Sequence, residues 1–213
     1  MRIIIPMICL LIAASCTDKS QKVTVEGCGE EKTLIIDEAY TNKYGLEPLN
    51  FTLSYYSNVP HELPEDGKGY GTYAKFAQRD GDQVIEEVRL NSWSATGMNA
   101  DNKDKMMKDI LKNTTGILEF MYEVQDVKES KKTIAGKEYW VADAVVIEKS
   151  EAKSDNPTKY LVRNTLMAPS DTASRGLAVV QRAHPDSNVK SHDDFYRNAC
   201  TAMVVSTIDF SIQ

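Results

Sequence analysis

The chain has 213 residues, enough for one domain with a proper core and marginal for two. At 42% hydrophobic and 26% charged residues, its composition excludes a disordered chain and one embedded throughout in a membrane. The net charge of -6, with the basic residues scattered among acids, argues against a nucleic-acid backbone as partner and serves solubility instead.

The chain opens with Arg2 and an apolar run over residues 3–14. That run is shorter than the about 20 residues a membrane-crossing helix takes, but it suits the core of a signal peptide. It ends Leu11-Ile12-Ala13-Ala14-Ser15-Cys16 and turns polar at once with Thr17-Asp18-Lys19-Ser20. Small residues ahead of a cysteine resemble the lipobox of bacterial lipoproteins, although Ala13 stands where lipoboxes more often carry Leu. The resemblance implies that residues 1–15 are a removed signal peptide and that the Cys16 thiol takes a diacylglyceryl group. It also implies acylation of the new amine, with fatty acids such as palmitate. Residues 16–21 then form a tether to a membrane. Several acyl chains, at about 0.8 kcal/mol per buried methylene, hold far more firmly than one. Thr17, in place of an aspartate after Cys16, points to the outer membrane under the sorting rule of enteric bacteria. The competing reading is an ordinary secretory signal with an incidental cysteine.

Cys9 leaves with the signal peptide, so the folded part keeps Cys28 and Cys200. Two thiols in an oxidising compartment form a natural pair, and closing so long a loop removes unfolded-state entropy worth up to about 5 kcal/mol. Two buried free thiols are the alternative. No C-x-x-C occurs, so neither a reactive dithiol nor a cysteine zinc site is indicated.

Residues 22–25 and 33–36 are short β-prone runs split by Gly27-Cys28-Gly29. Phe51, Leu53 and Tyr55 alternate with Thr52 and Ser54, the pattern of a half-buried strand. A loop over 60–67 precedes β-prone runs at 70–78 and 84–93, which flank Asp80-Gly81 and predict a hairpin. The period then changes. Met106, Ile110 and Ile117, with Met107, Leu111 and Leu118 beside them, predict an amphipathic helix from about Asp101, capped by Asn99 or Asp101 and ending near Gly116. Strands resume at 121–129 and 139–148 around a turn at Ala135-Gly136, with Trp140, Ala142, Ala144 and Val146 on one face. After a polar loop over 149–157, strands at 160–167 and 177–183 follow, joined by a Pro-Ser-Asp turn. A last helix, capped by Asp193 or Asp194, presents Phe195, Ala199, Ala202 and Met203. About seven strands, mostly hairpin-linked, with one helix mid-chain and one at the end, predict a single α+β domain: an antiparallel sheet flanked by helices.

That order of elements, with three local patterns, resembles the PsbP-like fold, which includes photosystem PsbP, Ran-binding Mog proteins and bacterial lipoproteins of DcrB and LpqN type. The patterns are the strand from Phe51 to Val59, the hairpin Ile134-Ala135-Gly136, and the closing run from Val204 through Ser206-Thr207 to Phe210. The Pro and Trp that usually end the family's first strand are missing. The likeness covers residues 49–213 and leaves 22–49 as an extension of the domain spanning 22–213. It implies an α/β/α sandwich and a non-enzymatic binding or assembly role; no cofactor is expected.

Catalytic patterns are sparse. Ser150 to Lys153 followed by Ser154-Asp155-Asn156 matches two motifs of penicillin-recognising enzymes, but here they abut in one polar loop and K-T-G is absent. No G-x-S-x-G anchors a hydrolase, so a Ser/His/Asp site would have to be assembled by folding around His61, His184 or His192. His192-Asp193-Asp194 and the run from Asn99 to Asp104 read as helix starts rather than metal sites. The aromatics Tyr56, Tyr70, Tyr73, Trp93 and Trp140 lie on predicted strands, where an outward ring forms a binding patch if that face is uncovered, and core if both faces are packed. The sequence therefore predicts a lipid-anchored envelope module that binds a protein or envelope component. The alternatives are an exported Ser/His/Asp hydrolase and a carrier of an apolar ligand.

Overall fold

A computed structural model of the chain describes residues 25–64, 71–120 and 122–211. The expected signal peptide, Cys16, the expected tether and Tyr70 lie outside the described residues. The elements run β1 (Glu31–Ile36), α1 (Glu38–Tyr44), β2 (Phe51–Tyr56), β3 (His61–Glu62), β4 (Thr72–Asp80), β5 (Gln83–Ser94) and α2 (Lys103–Gly116). A 3₁₀ turn (Ile117–Phe120) leads into β6 (Tyr122–Ile134), β7 (Lys137–Glu148), β8 (Lys159–Met167) and β9 (Arg175–Ala183). A second 3₁₀ turn (His192–Tyr196) and α3 (Ala202–Ser206) close the fold.

Seven strands form one sheet in the order β3-β4-β5-β9-β8-β7-β6, and β1 pairs with β2 in a separate ribbon; every pairing is antiparallel. Hairpins account for most neighbours, and β9 returning between β5 and β8 is the one long-range choice. This is the α+β class that the strand order predicts.

The period-two side chains put different cores on the two faces. Val88 and Leu90 of β5, with Leu177 and Val179 of β9, meet the β1–β2 ribbon, α1 and α3. Trp93 of β5 and Ala178 of β9 point the other way, toward Met107 and Leu111 of α2. Farther along that second face, Leu118 of the 3₁₀ turn packs on Ala144, Val146 and Val162.

Several local expectations are corrected. The hairpin after β4 turns on Gly81-Asp82, because Asp80 pairs with Gln83, and Gly81 takes the positive φ of 57°. The α2 cap is Asn102 rather than Asn99 or Asp101; Asn99 accepts from the Asp101 and Asn102 amides and so shapes the preceding turn. The buried seam of α2 runs through Met107 and Leu111, while Ile117 is left exposed. The single C-terminal helix is broken in two. Ser191, not Asp193 or Asp194, begins the first piece, with Asp194 closing a capping box. Its expected apolar face is nonetheless buried throughout, from Phe195 to Met203. Finally, α1 occupies a stretch with no predicted element. Asp37 caps it by accepting from the Tyr40 amide, and Gly45 ends it at φ 64°.

Candidate functional site

Cys28 and Cys200 are bonded to each other across 172 positions, and both are buried. The bond fastens the segment before β1 to the one before α3.

Three of the aromatics are core rather than surface. Tyr56 is buried against the ribbon core, with its hydroxyl accepting from the Val25 amide at 3.0 Å. Tyr73 lies edge-on to Phe51 at 5.6 Å and donates to the Glu47 carbonyl at 2.8 Å. Trp93 pairs with Gly176 across β5 and β9 and donates to the Met167 carbonyl at 3.2 Å. An indole fits there because its partner has no side chain. Tyr56 and Tyr73 face the core between the sheet and the ribbon, and Trp93 faces the core under α2, so none of the three forms an outward patch.

Trp140 stays half-exposed at a cleft of about 400 Å³ beside the start of α2. Its indole donates to Asp104 at 3.3 Å, and Lys131 lies over the ring at 5.1 Å. Lys131 also bridges Asp104 at 3.0 Å and Glu138 at 3.3 Å, while Lys103 pairs with Asp171. The polar groups around Trp140 thus satisfy one another.

The three histidines are apart and differently engaged. His61 packs on the rings of Tyr55 and Phe76. His184 meets Gln83 at 2.7 Å and the Asp186 carboxylate at 3.3 Å, and His192 meets the Ala144 carbonyl at 2.9 Å. Among the described residues no serine hydroxyl hydrogen-bonds to any of them, and no three metal-ligating side chains gather.

A further concavity lies on the α2 side of the sheet. α2 lies over β7 and β8 and reaches β5 at Trp93, and its 3₁₀ extension packs on β6; among the described residues no helix covers β4 or the rest of β5 to a similar extent. Between the end of α2 and β5 lies a groove of about 340 Å³. Val162, Ala178 and Val180 form its floor, Thr114, Ile117 and Leu118 one wall, and Glu87, Arg89 and Asn91 the other.

Alternation along β5 builds the charged wall. Val88 and Leu90 point into the core, so Glu87, Arg89 and Asn91 point into the groove. Register then brings cations together, because Glu87 pairs with Arg182 of β9 and Arg89 pairs with Lys75 of β4. Glu87 lies 2.6 Å from Arg89, 3.4 Å from Lys75 and 3.7 Å from Arg182. Burial by itself would push its carboxyl up, but Arg89, then Arg182 and Lys75, outweigh burial and hold it below the usual range. Arg182 is fixed further by the Tyr122 hydroxyl at 2.8 Å, by Glu148 at 3.5 Å, and by the Tyr160 ring at 5.0 Å. Ile117, in the lining, is 58% exposed, and Phe120, which the three-residue period of the 3₁₀ turn puts on the same side as Ile117, is 82% exposed.

Sequence reasoning missed Glu87, Arg89 and Arg182. The available signal was polar residues at every second position of a strand whose other face is apolar.

No protein-family model matches the sequence, and no curated protein matches it. Solved structures similar in fold include the solution structure of cyanobacterial PsbP (CyanoP) from Synechocystis sp. PCC 6803, at 11% identity and a TM-score of 0.44, covering 88% of this chain and 97% of that one. The Ran-binding protein Mog1p of Saccharomyces cerevisiae is similar at 8% identity and a TM-score of 0.44, covering 85% and 96%.

Proposed function

We propose that this chain is a lipid-anchored envelope lipoprotein whose folded body is a non-catalytic module that binds another protein through the groove between α2 and β5. The groove carries this reading: an apolar floor, fixed guanidinium groups on one side and an exposed Ile117 on the other, with the exposed Phe120 further along the same turn. Protein-recognition surfaces combine these features, being enriched in arginine and in apolar groups awaiting cover. The anchor rests on the lipobox-like run ending at Cys16 and the outer-membrane assignment on Thr17.

Two measurements test it. Mass spectrometry of the mature N-terminus is expected to find acylated Cys16, and Cys16→Ser is expected to move the protein out of the membrane fraction. An unmodified Cys16, or a variant that stays with the membrane as the parent does, overturns the anchor. For binding, a photo-crosslinking residue in place of Phe120 is expected to capture one stoichiometric envelope protein, and the same residue in place of Ile35, exposed on the β1–β2 ribbon, is not. No product from position 120 overturns the binding role.

A further inference from the structure

We propose that the groove takes an acidic segment of polypeptide, with a carboxylate seated on Arg89 and flanking apolar side chains against the floor and Ile117. This rests on the binding role above and specifies the partner's chemistry.

Among the groove's lining residues the charged groups are Glu87, Arg89 and Arg182. They differ in what they show to a ligand. The Glu87 side chain is 6% exposed, enclosed by its three cations, whereas that of Arg89 is 37% exposed. An incoming group therefore meets guanidinium and not carboxylate, in a chain whose net charge is -6. Glu87 engages Arg89 through Nε, and among the described residues the terminal nitrogens of Arg89 make no hydrogen bond. Those nitrogens form a fork matched to a carboxylate. Arg182 lies behind, held by Glu87, Tyr122 and Glu148, and adds field without having to move. Lys75, the remaining cation at Glu87, also meets Glu62 at 3.1 Å and so adds little to the excess.

The apolar surface decides between a polypeptide and a small amphiphile. It is divided between the floor (Val162, Ala178 and Val180) and side chains standing in water along the 3₁₀ turn: Ile117 in the lining, and Phe120 beyond it on the same side of the turn. Covering both takes a ligand that continues out of the cavity with apolar groups at intervals. An extended chain does this, its alternate side chains pointing to opposite sides. A single acyl chain fills the floor and leaves Phe120 in water.

The test uses the full chain in micelles of an uncharged detergent, with anisotropy of a short fluorescent peptide alternating leucine and glutamate. Its counterpart alternates leucine and lysine, and micelles alone give the background. The glutamate peptide is expected to bind saturably and the lysine peptide not. Arg89→Ala and Ile117→Asp are each expected to weaken binding at least about tenfold, equivalent to about 1.4 kcal/mol. Arg89→Lys, which keeps the charge and loses the fork, should fall between, and added salt should weaken binding in the parent. Ile35→Asp, on the β1–β2 ribbon, should leave it unchanged. Ile117 is exposed, so its variant reports on the groove without a folding defect.

Equal binding of both peptides, or affinity unmoved by Arg89→Ala and Ile117→Asp, overturns the proposal. Crosslinks from position 120 that survive while the captured segment proves basic or neutral defeat this inference and leave the binding role standing. Loss of those crosslinks defeats both.

Discussion

Gly176 is the residue on which the place of Trp93 depends. A Cβ at 176 would lie 2.1 Å from the Met167 carbonyl oxygen and 2.6 Å from the Trp93 ring. Neither neighbour is a free chain end, since one is backbone and the other a buried indole. Gly176→Ala should therefore destabilise by about 1–3 kcal/mol, as overpacking does, and urea unfolding measures this. Wild-type stability for the variant would show that β9 can shift and that the indole is not fixed there. The neighbouring glutamates of β5 show how one backbone step inverts an environment. Glu87 faces cations and is held down, whereas Glu86 faces the other way into the core, where burial pushes its carboxyl up against hydrogen bonds from Thr201 and Cys200. Gln78, directly across from Glu86, keeps a buried Oε1 without a partner, and a protonated carboxyl supplies a donor on that side. A folded-state value above the unfolded one means that the folded chain holds this proton more tightly. Its contribution to stability therefore falls as pH rises from the ordinary glutamate range through the folded value. Glu86→Gln keeps an acceptor for Thr201 and needs no proton. The variant is expected to melt higher than the parent at neutral pH, with the gap closing near pH 4.5, the ordinary glutamate value. A constant gap across that range would mean Glu86 is ionised in the fold.

Helix α2 and its 3₁₀ extension carry two apolar rows. Met106, Ile110 and Ile117 and the row of Met107, Leu111 and Leu118 are both apolar, and periodicity alone gives them equal standing. The sheet chooses the second row, because β7 and β8 approach from that side and the 3₁₀ turn after Gly116 swings Ile117 outward. Leu111→Ala should cost about 2–5 kcal/mol, as a fully buried leucine does, and Ile117→Ala should stay within about 0.5 kcal/mol. Thermal melts of the two variants separate them, and equal losses would reverse the assignment of faces. The C-terminal helix broke for a related reason. Thr201 turns its amide and hydroxyl to Glu86 at 3.3 Å, and Cys200 is bonded to Cys28, so this stretch is committed to partners far away in sequence. Helical periodicity correctly gave the buried side chains from Phe195 to Met203 but not the backbone between them.

At the scale of the molecule, the Cys28–Cys200 bond and β9 between β5 and β8 both join distant parts of the chain. The bond encloses the whole seven-stranded sheet. In the chain-entropy model, opening a loop of 172 residues removes up to about 5 kcal/mol, a large share of the 5–15 kcal/mol typical of native proteins. Dithiothreitol, or a Cys28→Ser/Cys200→Ser double variant, should lower the melting temperature by about 10 °C or more, at about 2–4 °C per kcal/mol for a chain this size. An unchanged melt would show that the cysteines are not bonded in solution.

By itself the sequence determined the long strands, the order of their hairpins, the mid-chain helix and the α+β class, though not β3 or the turn residues after β4, because alternation and turn residues act over a few neighbouring positions. Only the tertiary structure decided which aromatics are core and which row of α2 is buried. It also decided that Glu87, Arg89 and Arg182 line one groove. Those outcomes depend on which strands become neighbours and how far a helix reaches across them, and no local period encodes contacts between residues nearly a hundred positions apart.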